Sequence, residues 1–474
     1  MDASGLARWQ FGITTIYHYL FVPASISLAT LTALLQSAWL RTKDPAYLRL
    51  TKFSGKLLLV TFVVGVVTGL VQEFQFGLAW SDFARFYGDV FGPTLAVEGL
   101  LAFFLEATFL GLWFFGWDRL PRGVHLATIW TVAVGTLISG FVILAANAFM
   151  QNPVGYSIDP VTHRARLDSF AALLTNPVNT HAFPHTVAGA FLVGGAMLLA
   201  IGLHHTLRGS RAQRESRILL RLGAWTTVLS GLATAVTGDL LGKLIAQVQP
   251  MKMAAAESLY ATTTGAPFSV FTWFSDGRPT WGLEIPGLLS FLVSDSFTTR
   301  VQGIDNLQRQ YTEQFGPGVY SPQIQVAFWS FRAMIGFGMA AMAIAVLVLW
   351  LTRGGRTLGT QSRFAGIPVA RVLAWCVPVL PALPLLANST GWLFTETARQ
   401  PWLVFGLFRT ADGVSPGTTA AEVIASLTAF TVVYGVLAIA YVRLVVRLSR
   451  AELAEPREPA QEPGDVDERL LVSW

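Results

Sequence analysis

The sequence predicts an all-α integral membrane protein with nine transmembrane helices. Of its 474 residues, 53% are hydrophobic and only 13% are charged, and the mean hydropathy is +0.52. The apolar residues are gathered in nine long runs that show no alternation. A hydrocarbon core of about 30 Å requires roughly 20 apolar residues in helical form. This composition excludes an ordinary soluble domain, and the length of the runs favours helices over strands.

The nine runs define the expected spans in chain order. Their approximate bounds are 14–40, 53–80, 94–117, 125–149, 181–207, 218–241, 322–352, 370–393 and 420–447. They give one block of six helices in residues 1–241 and a second block of three helices in residues 322–450. Between the blocks lies an excursion of residues 242–321, rich in Gly, Pro and Thr. The Pro- and acid-rich tail, residues 451–474, is expected to be disordered.

Basic residues in the short connections predict which way the helices face. They follow the first, third, fifth and seventh spans: Arg41, Lys43, Arg49, Lys52; Arg119, Arg122; Arg208, Arg211, Arg214, Arg217, Arg221; Arg353, Arg356, Arg363, Arg371. By the positive-inside rule these loops are cytoplasmic, so the N-terminus lies outside and the C-terminus lies in the cytoplasm. Orientation therefore explains the net charge of +5 better than nucleic-acid binding does. The single cysteine, Cys376, excludes an intrachain disulfide.

Several polar residues stand at the outer ends of spans, where the expected topology brings them to one face. They are His18, His185, Met334 and Glu396, from four different spans. Taken singly, each has an ordinary structural explanation, such as packing or an interfacial ion pair. Arg332 lies two residues from Met334 and requires an anionic partner in an apolar helix, which a haem propionate would supply. As a set, the residues indicate a plausible layer for iron cofactors.

Ordered motifs along the whole chain carry a family resemblance. They are RWQFGITTIYH, GLVQEFQFG, VEGLLAFFLEATFLGLWFFGW, FMQNPVGY, HTVAGAF, MKMAAAE, FRAM and ETARQPW. The sequence resembles subunit I of the cytochrome bd family of quinol oxidases over essentially all nine spans. The resemblance implies a bacterial cell-membrane protein that works as a heterodimer with subunit II, with small single-span subunits as further candidates.

The resemblance also implies three haems. A six-coordinate low-spin b haem would take His185 and Met334, leaving no place for oxygen. A high-spin b haem and a haem d would each take one protein ligand, at His18 and Glu396. The preferred assignment places haem d on His18 and the high-spin b haem on Glu396; the reverse assignment stays open. Arg332, Arg399 and Trp392 match positions that neighbour the haems.

The excursion of residues 242–321 corresponds to the quinol-binding Q loop of the family, in its short form. Lys252 and Glu257 match the pair of residues at the quinol site. Their chemistry suits the task, because a carboxylate can accept a proton from the quinol while an ammonium holds its oxygen. The substrates implied are O₂ and a quinol, either menaquinol or ubiquinol.

Two carboxylates in the third span, Glu98 and Glu106, are expected to carry protons towards the oxygen chemistry. In a regular helix they lie about 12 Å apart along the axis and about 80° apart around it. Ser139 and Asn147 on the fourth span would bridge this gap. Quinol oxidation outside and proton uptake from the cytoplasm would then separate charge without a pump.

Two alternatives stay open at the sequence level. One is the cyanide-insensitive branch of the same family, in which b haems replace haem d. The other belongs to a different class: a proton-coupled secondary transporter that uses Glu98 and Glu106. The transporter accounts for the intramembrane acids but not for the set of His, Met and Arg residues at the outer face.

Overall fold

A computed structural model describes residues 3–356, 358, 363–364 and 367–453. In this part of the chain nine helical segments are long and apolar enough to span a membrane: Ala3–Thr42, Pro45–Ala79, Ser81–Phe115, Arg122–Gln151, Pro177–Leu207, Gln213–Val248, Ile324–Leu351, Val369–Thr397 and Ala420–Arg450. The prediction of nine membrane helices is confirmed. Which face of the membrane each end occupies stays a prediction from the basic loops.

The first span consists of two helices, α1 (Ala3–Tyr19) and α2 (Val22–Thr42). They meet at residues 20–21, just before Pro23 in the first turn of α2. Proline favours this position because a first-turn residue needs no N–H partner, and its ring disfavours helix in the residue before it. The break leaves the carboxyl end of α1, which carries His18, at the start of a turn.

The second and third spans are joined almost without a loop. Helix α3 (Pro45–Ala79) and helix α4 (Ser81–Ala96) are separated only by Trp80. The prediction of a connecting segment before residue 94 is therefore wrong. Phe83, Tyr87 and Val90 recur at helical spacing and are buried, which explains why this segment folds as a helix.

The third span continues through a π-helical turn, Val97–Phe103, into helix α5 (Phe104–Phe115). Helix α6 (Arg122–Gln151) forms the fourth span. A small antiparallel hairpin, β1 (Tyr156–Ile158) and β2 (Ala165–Leu167), and the short helix α7 (Phe170–Leu174) lead into α8 (Pro177–Leu207) and α9 (Gln213–Val248). Helix α9 thus extends seven residues beyond the predicted boundary at residue 241.

The segment between the sixth and seventh spans is folded. It contains α10 (Pro250–Glu257), β3 (Thr263–Thr264), β4 (Phe268–Ser275), β5 (Arg278–Ile285), α11 (Leu288–Ser294), β6 (Arg300–Val301) and α12 (Ile304–Phe315). Strands β4 and β5 form an antiparallel hairpin, and β3 pairs with β6. Helix α10 packs against α9 and α12.

The second block contains α13 (Ile324–Leu351), a single 3₁₀ turn at Arg353–Gly355, and the two-residue strands β7 (Arg363–Phe364) and β8 (Ile367–Pro368). Helix α14 (Val369–Thr397), strands β9 (Trp402–Val404) and β10 (Phe408–Arg409), a 3₁₀ turn at Thr410–Asp412 and α15 (Ala420–Arg450) follow. The predicted tail lies outside the described residues from residue 454 onward.

Helix α8 lies at the centre and packs most closely against α9. A Cβ added at Gly202 would stand 2.3 Å from the backbone nitrogen of Leu220, and one added at Gly223 would stand 2.2 Å from that of Leu199. Small residues permit such close approach of helices in a membrane. This tight pair holds the histidine of α8 in a fixed position relative to the backbone of α9.

Candidate active site

His185, on α8, is oriented by the backbone of α9. Its Nδ1 lies 3.1 Å from the carbonyl oxygen of Thr234, and since a carbonyl only accepts, Nδ1 carries the proton. The neutral ring therefore has its free lone pair on Nε2. A Cβ added at Gly238 would lie 3.1 Å from Cε1 of this ring. A histidine held at one nitrogen and free at the other is the arrangement found in metal ligands.

His18, on α1, has the same arrangement with a different partner. Its Nδ1 lies 3.0 Å from the hydroxyl oxygen of Thr68 on α3. That hydroxyl donates its only hydrogen to the carbonyls of Val64 or Gly65, so it accepts from the ring. Nε2 of His18 therefore also keeps a free lone pair. Gly69 supplies the space, because an added Cβ would lie 3.1 Å from Cε1.

Helix α14 brings Met334 to the level of His185. An added Cβ at Gly391 of α14 would lie 2.9 Å from the sulfur of Met334 on α13. One turn away on α14, the amide of Asn388 donates to the carbonyl of Gly189 at 3.3 Å, and Gly189 is one turn from His185. The nitrogen and sulfur donors expected for a low-spin haem thus lie at one level of the bundle.

Trp392 connects the region around Met334 and His185 to the region around His18. Its ring packs edge-on against the ring of Tyr19, with centroids 5.1 Å apart, and Tyr19 directly follows His18. Trp392 also follows Gly391, which contacts Met334, and Glu396 lies one turn further along α14. These contacts bring Met334, and Tyr19 beside His18, to the last turns of α14 near Glu396; that the four residues hold haems stays a prediction.

Glu396 is held by two donors. Nη2 of Arg399 lies 2.5 Å from Oε2, and Nδ2 of Asn147 on α6 lies 3.0 Å from Oε1. Asn147 thus contacts Glu396 rather than standing between Glu98 and Glu106 as predicted. Nε of Arg399 is buried without a hydrogen-bond partner in the described part of the chain. Such a donor fits an anionic group, for example a propionate.

A row of hydrogen bonds connects Glu396 to the loop helix α10. Nζ of Lys252 donates to Oε1 of Gln151 at 2.8 Å, and Nε2 of Gln151 donates to Oδ1 of Asn147 at 2.8 Å. Asn147 in turn donates to Glu396. Sequence reasoning missed Gln151, although it is a polar residue within the quoted motif FMQNPVGY, where an apolar span ends.

Lys252 is 3% exposed and has lost almost all of its hydration. Besides Gln151, its ammonium reaches the carbonyl of Thr395 at 3.4 Å. Burial lowers the pKa of Lys252 to about 7; the carboxylate of Glu396 opposes this shift and Arg399 adds to it. Lys252 can therefore change its charge near neutral pH.

Glu257 faces Arg332 of α13. Nη2 of Arg332 lies 2.6 Å from Oε2 and Nη1 lies 3.2 Å from Oε1, and both side chains are buried. Burial raises the pKa of Glu257 above its usual range, while Arg332 and the N–H of Ser269 hold it down in part. Glu257 thus supplies the anionic partner that Arg332 requires. Lys252 and Glu257 share α10, and no direct hydrogen bond or ion pair joins them in the described structure.

The two acids of the third span have different surroundings. Glu98 lies in the π-helical turn, so the spacing of a regular helix does not apply to it. Ser139 donates to Oε1 of Glu98 at 3.1 Å, and Glu73 of α3, which the sequence analysis did not single out, interacts with the same carboxyl. Glu106 is 8% exposed, and its Oε1 has no hydrogen-bond partner among the residues described.

Comparison with known proteins decides the family. The model of the family described as cytochrome bd terminal oxidase subunit I matches residues 6–453. This chain belongs to that family. The predicted resemblance is therefore confirmed, and the chain is a haem-containing subunit of a multi-subunit terminal oxidase in a bacterial membrane.

Individual members of the family match over nearly the whole chain. Cytochrome bd ubiquinol oxidase subunit 1 of Bacillus subtilis (strain 168) is 41% identical over 450 residues, covering 93% of this chain and 92% of the relative. Cytochrome bd-II ubiquinol oxidase subunit 1 of Escherichia coli (strain K12) is 33% identical, covering 98% and 100%. The solved structure of bd oxidase from Geobacillus thermodenitrificans matches with a TM-score of 0.82 at 29% identity, covering 95% and 98%.

Proposed function

We propose that this subunit oxidises quinol at its Q loop and passes the electrons to haems that reduce O₂ to water. The relatives from Bacillus subtilis and Escherichia coli are named ubiquinol oxidases, and a further Bacillus subtilis relative is named a putative menaquinol oxidase. The observation that carries the proposal is the row from Lys252 through Gln151 and Asn147 to Glu396, because it joins the candidate quinol site to a candidate haem ligand.

In this proposal His185 and Met334 would hold a low-spin b haem. His18 and Glu396 would each hold a high-spin haem, one of b type and one of d type, with either assignment open. When bound, these groups supply electron transfer and oxygen chemistry. The chain contributes the donors, the hydrogen bonds that fix the two imidazoles, and the positive charge of Arg399.

At the quinol site Glu257 takes the first proton and Lys252 holds the quinone oxygen. A base works best when its pKa lies near the operating pH, and burial moves Glu257 in that direction. Lys252, with a pKa of about 7, donates a hydrogen bond to the quinol oxygen, and in its neutral form it can accept the second proton that quinol oxidation releases. Arg332 stabilises the carboxylate form of Glu257, so burial does not keep this side chain permanently protonated.

Protons for water formation come from the opposite side, through Glu106 and Glu98. The hydroxyl of Ser139, bonded to Glu98, can accept one proton while it donates another. Each charge separated against 100 mV stores about 2.3 kcal/mol. Because quinol protons are released outside and the protons for water are taken up from the cytoplasm, the reaction generates proton motive force without a pump. Membership of an oxidase family leaves the transporter alternative without support.

A reduced-minus-oxidised spectrum of the purified complex, with haem stoichiometry, tests the cofactor set. We expect b-type bands and the far-red band of haem d; b-type bands alone would indicate the cyanide-insensitive branch, and no haem bands would refute the proposal. His185→Ala should remove the low-spin signal. His181→Ala is the matched control, because His181 lies one turn earlier on α8 and its Nδ1 contacts only local groups, Pro177 and Thr180.

A further inference from the structure

The β4–β5 hairpin of the Q loop has one face that is apolar over three successive pairs; at the turn, the pair of Ser275 with Arg278 is polar. Residues paired directly across an antiparallel ladder share a face. On one face the pairs are Trp273 with Trp281, Phe271 with Leu283, and Phe268 with Ile285. A bulge at Val270 keeps Phe268 and Phe271 on the same side. The opposite face pairs Ser269 with Glu284 and Thr272 with Gly282.

Much of this apolar face is uncovered. Trp273 is 63% exposed, Trp281 is 67% exposed and Leu283 is 58% exposed. Exposed apolar surface of this kind marks an interaction site. Because the exposed part of the face, Trp273, Trp281 and Leu283, is apolar, its partner is expected to be apolar, and the tryptophans are typical of a membrane–water interface.

Helix α13 fixes the level of the hairpin. Its 28 residues extend about 42 Å against a hydrocarbon core of about 30 Å, so roughly 6 Å projects at each end if the helix is centred. Trp329 is the sixth residue, about 7.5 Å from the start, which is the boundary of the core. The ring of Phe271 contacts Trp329 with centroids 5.2 Å apart, and Trp329 is itself 40% exposed. The apolar face is thus continuous with the outward surface of a membrane helix.

We propose that the apolar face of the β4–β5 hairpin lies in the interfacial layer of the adjacent lipid leaflet and anchors the Q loop to the membrane. The hairpin is attached to the candidate quinol site at Ser269. The N–H of Ser269 lies 3.4 Å from Oε2 of Glu257, and its carbonyl accepts from Nε of Arg332 at 2.7 Å. The anchor therefore helps to hold Ser269, and with it Glu257, against Arg332 of α13, at the depth where the head of a lipid-dissolved quinol arrives. This second step rests on the proposed function.

Spin labels test the anchor without reference to activity. In the complete oxidase with Cys376→Ser, reconstituted in phosphatidylcholine vesicles, single labels are placed at Leu283→Cys or at Glu284→Cys. These neighbours are both exposed but lie on opposite faces. We expect the label at 283 to collide mainly with oxygen, which concentrates in lipid, and the label at 284 to collide mainly with a water-soluble nickel chelate.

Two results would overturn the anchor. Equal access of the nickel chelate to both labels would place the face in water. Shielding of the label at 283 from both reagents would show that a protein surface covers it. Either result leaves the haem spectrum and quinol oxidation unaffected as tests of the proposed function.

The positional role has its own test. In the double variant Trp273→Ser, Trp281→Ser, we expect KM to rise severalfold for a long-tailed quinol in vesicles but not for a short-tailed, water-soluble quinol. The haem spectrum should be unchanged. An equal rise in both KM values would indicate general damage to the loop and would refute a role in membrane seating.

Discussion

Replacing Arg332 by leucine removes the cation that is bonded to Glu257 in the described structure, and the effect should appear in the pH dependence of quinol oxidation. The two hydrogen bonds to the carboxylate, at 2.6 and 3.2 Å, are lost, together with those to the carbonyls of Ser269 and Ala256. Hydrogen bonds to charged groups contribute about 1.5–3 kcal/mol each. Allowing for relaxation, we take the combined loss as about 3 kcal/mol.

The sign follows from which form Arg332 stabilises. Burial already raises the pKa of Glu257, and Arg332 opposes that rise. Without Arg332 the carboxyl stays protonated to a higher pH, and a protonated carboxyl cannot accept a proton from quinol. Since one pH unit corresponds to 1.36 kcal/mol, the acidic limb of kcat/KM should move up by about two pH units.

The assay is steady-state quinol oxidation by the whole complex from pH 5 to 9, with haem spectra recorded in parallel. Arg332→Lys keeps a charge but not the two-pronged geometry, so its limb should lie between those of the wild type and Arg332→Leu. An unmoved limb together with an altered haem spectrum would refute the reasoning. It would show that Arg332 acts through the haem beside Met334, as the sequence analysis first suggested.

Three further substitutions probe the rest of the site. Gln151→Leu leaves the ammonium of Lys252 without its 2.8 Å partner, at a cost of about 1–3 kcal/mol, so KM for quinol should rise about 5- to 150-fold; an unchanged KM would contradict this. Glu106→Gln should slow O₂ consumption about 10²-fold with haem content intact, and unaltered consumption would exclude the relay. Gly391→Ala places a Cβ 2.9 Å from a thioether sulfur and should alter the low-spin spectrum, whereas Gly336→Ala, where nothing lies within 4 Å, should not.

The spans could be predicted because membrane burial imposes a simple rule on composition and length. What escaped prediction depends on local or long-range contacts. Helix α4 begins at Ser81 because its periodic Phe and Tyr residues pack against the protein, but its charged residues, such as Asp82 and Arg85, resemble those of a loop. The break before Pro23 and the π-helical turn at Val97–Phe103 change only the local backbone geometry, so hydropathy averaged over a window cannot predict them.

The candidate site divides in the same way. Residue type and expected membrane depth made His18, His185 and Met334 candidates, and the family resemblance assigned them as haem ligands, which stays a prediction. Partner identity was not accessible: Arg332 meets Glu257 across 75 positions of sequence, and Asn147 meets Glu396 across 249. Only the folded chain brings these pairs together, so sequence spacing predicts none of them.

The row between Lys252 and Glu396 has a fixed direction. The carboxylate of Glu396 can only accept, so Asn147 must turn its nitrogen towards Glu396 and its oxygen towards Gln151, which then presents its own oxygen to Lys252. Both amides are thereby locked end to end, and neither can take up a proton and release it as a hydroxyl or carboxyl does. The row couples the orientation of its two ends but offers no path for a proton between them. If Lys252 and Glu257 form the quinol site, as proposed, the protons released there must leave the protein by another path, without reaching Glu396 along this row.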